Sequence, residues 1–420
     1  MKFGFFSTKT GPRFAQSVTP VRPRLRAAFI CTGNPESAGT WSGTPLHMLT
    51  HLRPLFDVTT VVREPWAKWF GPARKVVSRL TRGKIDLIWS PFWTALASRK
   101  ARQAIAADNV DIVFCVGVSS IAALMNKTHR CVFISDATVV GMIDYNPKFT
   151  AMSAALRKRA IAIETDAVSR SDAAFYPSEW ARDDALRFHG AIPAKTHYVN
   201  WGANLTADCT PLLFDLTPPW RFLFIGVNWQ AKGGDIAVET VRRLNEMGIK
   251  AQLDVVGSRP ADPNFADPNV TLHGFLDKNV PVERDKLMGL LRGSNLLLFP
   301  TQFEALGIVS AEAASFGVPT VAYRTGGVAA NIVDGETGIL LPPEAAAEVW
   351  ANAIFTLIKD QPRYAAMRHA ALAWHRSTVN WPTWAEAIAD VLAPRPQLLI
   401  RRATLPKIAA PHDERELLAA

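Results

Sequence analysis

Short apolar runs that stop at a glycine, proline or acidic residue, each followed by helical spacing, constrain the fold of this chain more than any other feature. They fall at Arg26–Gly33, Val58–Val62, Asp111–Gly117, Cys131–Asp136 and Ala173–Ser178. Four more follow at Arg221–Val227, Lys250–Gly257, Val270–Phe275 and Asn295–Phe299. Continuous rather than alternating hydrophobicity means strands buried on both faces, the pattern of a parallel sheet covered by helices. Helical patterns begin near Leu46 and lie at 95–106, 152–171, 282–292, 345–359 and 362–376. The alternation predicts an α/β chain of parallel, doubly wound sheets. With 420 residues, two to three domains of about 150 residues each are expected. The charge-poor, proline-containing stretch 205–219 is where one domain gives way to the next.

Composition narrows the class. Hydrophobic residues make up 48% and charged residues 20%, as in globular proteins. No apolar run reaches the roughly 18 residues of a membrane span, and the opening stretch lacks a secretory leader pattern. The four cysteines, Cys31, Cys115, Cys131 and Cys209, are spaced for neither zinc nor a disulfide framework. Reduced thiols and a cytoplasmic location are the expectation. The net charge of +10 invites anionic partners, but no nucleic-acid-binding motif accompanies it, so nucleic acid is not expected.

The stretch Asn295–Pro343 carries the chemistry. A buried strand ends at Phe299-Pro300, a loop follows to Leu306, and Gly307, Ile308 and Val309 open a helix that stops at Gly317 with Pro319 beyond. Unpaired N–H groups and the positive dipole end at such a start favour a diphosphate. Glu304 precedes that start, and Glu312 lies one turn inside it on the side of Ile308. Two carboxylates flanking a phosphate site suit the paired hydroxyls of a sugar and a ribose. A bare pair of glutamates eight apart is more often surface charge, so the surrounding text decides.

Phe303-Glu304, Gly307, Glu312, Gly317-Val318-Pro319, Gly326-Gly327, Ile332-Val333-Asp334-Gly335 and Thr337-Gly338-Ile339-Leu340 together resemble the donor site of the GT4 family of retaining glycosyltransferases. That resemblance implies the GT-B fold, two Rossmann-like doubly wound domains facing across a cleft. It implies that Glu304 meets hydroxyls of the transferred sugar, Glu312 the ribose, and the Gly307–Val309 amides the phosphates. The implied activity is transfer of a sugar from a UDP- or GDP-sugar to a hydroxyl of a glycan or lipid-linked acceptor. No metal and no cofactor beyond the nucleotide sugar is implied. A binding-only subunit that partners another transferase is the alternative.

Further sites follow on the same footing. Lys232, after the glycine-bearing strand end at Gly226, can reach a diphosphate as a point charge, and the resemblance assigns it the leaving group. Val227 and Ala231 stand where the family offers a second cation, which moves that charge elsewhere, to Arg259 or Arg324. Gly257 and Gly274 close strands where backbone could approach a base. Near the first strand, the resemblance sets Gly43 towards the donor phosphates and Trp41, Ser42 and Thr44 on the acceptor side. Asp136 closes a strand, where its carboxylate either caps a helix or lines the acceptor side; the resemblance makes it a catalytic candidate with Glu304 and Lys232.

The domain reading is a basic flexible arm at 1–25, an acceptor domain at 26–205, a donor-nucleotide domain at 218–377, a crossover helix at 379–393 that returns to the first domain, and a flexible tail at 394–420. Residues 63–84 are basic and aromatic with Glu64 as the single acid, which suits peripheral contact with an anionic membrane face.

Overall fold

The computed structural model describes residues 24–63, 66, 69–106, 108–206 and 217–392. The tail 394–420, Cys209 and all but the end of the arm lie outside them. In the first half the elements run β1 (Arg26–Cys31), α1 (Thr44–Leu52), β2 (Asp57–Val62), α2 (Phe70–Leu80), α3 (Pro91–Ile105), β3 (Ile112–Val116), α4 (Ser119–Met125) and β4 (Cys131–Ile134). They continue with α5 (Val139–Met142), α6 (Pro147–Thr150), α7 (Ala154–Ser169), β5 (Ala173–Tyr176), α8 (Glu179–Phe188) and β6 (Thr196–Tyr198). These strands form one parallel sheet in the order β2-β1-β3-β4-β5-β6. Its strands are buried on both faces: Ile112, Phe114 and Val116 of β3 enter one core, and Val113 and Cys115 enter the other.

The second half runs β7 (Trp220–Gly226), α9 (Gly234–Glu246), β8 (Ala251–Gly257), β9 (Val270–Gly274), α10 (Pro281–Gly293), β10 (Leu296–Phe299) and α11 (Ile308–Ser315). After these come β11 (Thr320–Tyr323), β12 (Gly338–Leu341), α12 (Ala347–Lys359) and α13 (Gln361–Ser377). The second sheet is also parallel, ordered β12-β11-β10-β7-β8-β9. The four-residue strands β11 and β12 were not evident from apolar runs alone, since both are short and sit among glycines. Among the described residues, no helix is long and apolar enough to cross a membrane.

Topology fixes where ligands can go. In each sheet the strand order reverses once, between β1 and β3 in the first and between β7 and β10 in the second. The loops at the carboxyl ends of two such strands diverge and leave a crevice, the usual ligand site of doubly wound folds. Lys232 follows β7 and Glu304 follows β10, so both stand at the second crevice.

The last helix, α14 (Trp381–Leu392), leaves the second half and returns to the first. Its Trp381, Trp384, Ala385 and Ile388 are buried with Phe29, Phe114 and Ile134 of the first sheet. Trp384→Ala removes a fully buried indole from that core, and a loss of about 3–5 kcal/mol in unfolding free energy is expected from urea denaturation. A loss under about 1 kcal/mol would mean that α14 is no part of the first domain.

Candidate active site between the two sheets

On the second-sheet side, the turn after β7 brings Lys232 back over Gly226, where a Cβ would meet the lysine stem. Lys232 Nζ is ion-paired with the Glu304 carboxylate and lies 5.7 Å from the centroid of the Phe299 ring. Beyond Glu304 the chain turns at Gly307, whose φ of +75° suits only glycine without strain, and enters α11. Asn331 ties this turn together: its Nδ2 donates to the Leu306 and Gly307 carbonyls at 3.2 and 3.1 Å and to Ser310 Oγ at 3.2 Å.

Glu312, 2% exposed, accepts from Lys278 Nζ at 2.5 Å. Lys278 follows β9 by four residues and reaches towards α1, where its charge, after burial and His51, helps push the His47 imidazole down to about 4. The donor side thus holds two lysine–glutamate pairs on either side of a helix start. A pair this far from water persists only where each charge keeps its partner or a ligand replaces it.

On the first-sheet side, a cavity of 370 Å³ opens at the reversal between β1 and β3. Trp41 forms one wall, packed on Gly117, where any Cβ would overlap the indole. Asp136, two residues past β4, forms another. Burial, reinforced by the Glu304 charge, pushes its carboxyl up to about 6. The far wall is basic: Arg74 Nε and Nη2 donate to both Asp86 oxygens at 2.6 and 2.7 Å, and Lys148 stands nearby, its ammonium pushed down by burial and by Arg74.

Glu304, Lys232, Gly226, Gly307, Ile308, Val309 and Glu312 therefore sit around one crevice, with Trp41 and Asp136 on the wall opposite. Gly257 and Gly274 end β8 and β9 on the same sheet edge, and Gly43 precedes α1. Three expectations change. Thr44 is 3% exposed, and its hydroxyl accepts from Asn204 Nδ2 at 3.0 Å, so it anchors α1 rather than facing an acceptor. The Ser42 carbonyl accepts from the same amide, and its side chain is not part of the cavity wall. Thr138, not Asp136, caps α5 by accepting from the Gly141 N–H at 3.0 Å.

Arg324 is committed to Asp334 at 2.6 Å on an exposed surface, and Arg259 is likewise exposed. Lys278 is the cation the chain brings to Glu312, and nothing in its neighbouring residues announced it.

The two facing doubly wound sheets are the GT-B architecture. They superpose on sucrose-phosphate synthase from Thermosynechococcus elongatus with a TM-score of 0.62 at 15% identity, covering 88% of this chain and 98% of that one. HepE of Anabaena, solved in complex with UDP and glucose, gives 0.58 at 16% identity, over 88% and 99%. Residues 219–360 match the family described as glycosyl transferases group 1. Similar curated proteins include a D-inositol 3-phosphate glycosyltransferase of Xylanimonas cellulosilytica, 27% identical over 55% of this chain and 58% of its own length. That of Corynebacterium diphtheriae is 34% identical over 40% and 41%. The matched stretches span about half the length of these relatives.

Behind Asp136 lies a buried polar cluster. Glu164 accepts from Ser119 Oγ at 3.0 Å and from the Val139 N–H, with His189 Nε2 at 3.3 Å. Burial, with the charges of Asp184 and Asp136 adding to it, raises the Glu164 carboxyl to about 7, while burial pushes His189 down. Unfolded, a glutamate titrates near pH ~4.3. The folded chain holds this proton longer, so the stability it contributes is full below pH ~4.3 and is lost as pH climbs through about 7. Glu164→Gln keeps the acceptor and removes the titration. Melting temperatures from pH 5 to 8 are expected to fall less steeply for the variant, and equal slopes would show that Glu164 is ordinary.

Proposed function

We propose that the chain is a retaining glycosyltransferase that moves a sugar from a nucleoside-diphosphate donor, UDP- or GDP-linked, to a hydroxyl of a glycan or lipid-linked acceptor. The observation that carries this reading is the placement of Lys232–Glu304 and Lys278–Glu312 around the start of α11, beside a 370 Å³ cavity of the first domain that Asp136 lines. The α11 amides and Lys232 hold the diphosphate, and Lys278 supplies the second positive charge that Val227 and Ala231 do not. Phosphate and Glu304 compete for Lys232, so donor binding frees Glu304 to accept from sugar hydroxyls.

In the transfer, the bond from the anomeric carbon to the diphosphate oxygen breaks and a bond to the acceptor oxygen forms on the same face. The acceptor proton passes to the departing diphosphate. Asp136, ionised above about pH 6, orients the acceptor by accepting from a neighbouring hydroxyl, which leaves the proton of the reacting hydroxyl for the diphosphate. Positioning and stabilisation of charge on the leaving group supply most of the rate, and no step requires a metal.

A thermal-shift screen against UDP, GDP, ADP and their glucose conjugates tests the donor site. A ligand at a hundred times its Kd adds about 2.7 kcal/mol, a rise of several degrees. Lys232→Ala and Glu312→Ala are expected to lose that rise. If no nucleotide moves the unsubstituted protein at millimolar concentration, the reading fails. Turnover of the bound sugar nucleotide then separates transfer from a binding-only role.

The acceptor side also supports contact with a membrane surface. The outer stripe of the α2 region exposes Trp69, Val76 and Leu80 (79% exposed), with Ile85 and Phe92 (67%) beside them. Lys75, Arg79, Arg82 and Lys84 flank the stripe and are exposed, while the inner Arg74 and Ser78 line the cavity. Apolar groups amid cations suit an anionic bilayer. The protein is expected to co-sediment with phosphatidylglycerol-rich vesicles but not with phosphatidylcholine alone. Val76→Asp with Leu80→Asp should abolish this, and unchanged sedimentation of the double variant would remove α2 from the contact.

A further inference from the structure

Donor loop and acceptor wall are joined by one side chain. Tyr145 belongs to the first domain, on the link between α5 and α6, the two helices that supply Met142, Lys148 and Phe149 to the cavity wall. Its phenol crosses the cleft. The oxygen accepts from the Glu304 N–H at 2.6 Å, lies 2.9 Å from Thr325 Oγ1 and 3.2 Å from the Glu304 carbonyl. Thr325 Oγ1 in turn donates to the Gln302 carbonyl at 3.3 Å.

One hydroxyl thus closes a chain of bonds on both sides of Glu304. Burial pushes the phenol above its ordinary value, so it remains a neutral group able to donate and accept at once. The ring packs against Trp180 of its own domain, centroids 5.5 Å apart, and edge-on to Phe303 of the other at 6.3 Å. Gly326, which leaves no room for a Cβ, lets the phenol and the Glu304 carbonyl come this close. A separate polar link between the two halves, Asn200 Nδ2 to the Ala330 carbonyl at 2.7 Å, does not involve Tyr145 or residues 301–307.

We propose that Tyr145 is a positioning residue that fixes the Glu304 loop from across the cleft, so that this carboxylate is aimed at the donor sugar only when the domains are closed and the acceptor wall is seated. The proposal rests on the glycosyl-transfer reading. It makes sugar engagement conditional on the acceptor side, which limits wasteful transfer to water while the cavity wall is displaced.

Tyr145→Phe in the full-length protein tests it, since the ring contacts with Trp180 and Phe303 remain and only the hydroxyl goes. Amide hydrogen exchange is followed in peptides covering 301–307, with 308–315 as the internal control. Affinities for UDP, GDP and ADP are measured against those for their glucose conjugates. Loss of one such bond corresponds to about fivefold. Exchange at 301–307 is expected to rise by about that factor with 308–315 unchanged. Affinity for the bare diphosphate is expected to hold, while the extra affinity contributed by the sugar is lost.

A purely structural role would weaken diphosphate and sugar nucleotide alike, and that result would overturn the proposal. Unchanged exchange at 301–307 would overturn it on its own, with nucleotide binding left intact. Failure of the unsubstituted protein to bind any of these nucleotides would instead overturn the transfer reading and the proposal together.

Discussion

The loop between Pro300 and Gly307 belongs to no helix or sheet, yet every polar backbone group it buries needs a partner. Those partners come from all around it. The Gln302 N–H donates to the Ala231 carbonyl at 3.1 Å, the Gly327 N–H to the Glu304 carbonyl at 3.3 Å, and Asn331 serves Leu306 and Gly307. Bringing the segment from Thr325 to Asn331 against this loop requires that Gly326 and Gly327 have no side chains, because a Cβ on either would overlap the Glu304 or Ala305 carbonyl. The double glycine is therefore a condition for the loop to exist in this shape. Lys232, Glu304 and the start of α11 inherit their positions from it.

Charge follows the same logic. Each carboxylate of the donor side has its own lysine, and Asp86 on the cavity wall has Arg74. Burial alone would raise Asp86, and the guanidinium reverses that and leaves it below its ordinary value. Asp136 and Glu164 have no such partner and stay raised. The cavity wall thus separates Asp86, held low by its guanidinium, from two carboxylates that take up protons near neutrality.

How much of this could be read from the chain depended on whether the information was local. Apolar runs that end at glycines located most strands of both sheets, because burial on two faces leaves a continuous signature. The motif stretch from Phe299 placed Glu304, Gly307 and Glu312 at one helix start, since all three act within a dozen residues of each other. Lys278, Asn331 and Tyr145 were not legible: their partners lie 34, 25 and 159 residues away, brought near by folding within the second half for the first two and across the two sheets for Tyr145. Thr44 misled for the opposite reason. A hydroxyl beside a glycine turn looks like a ligand contact until Asn204, 160 residues on, is seen to occupy it.

The return of α14 to the first sheet has a mechanical consequence. The chain passes between the domains twice, after β6 and again between α13 and α14. Two crossings favour rotation about the line that joins them over other relative motions, as a door turns on two pins. Displacement then grows with distance from that line, so a small rotation becomes a larger change of separation at the mouth of the cleft, whereas groups close to the axis scarcely move.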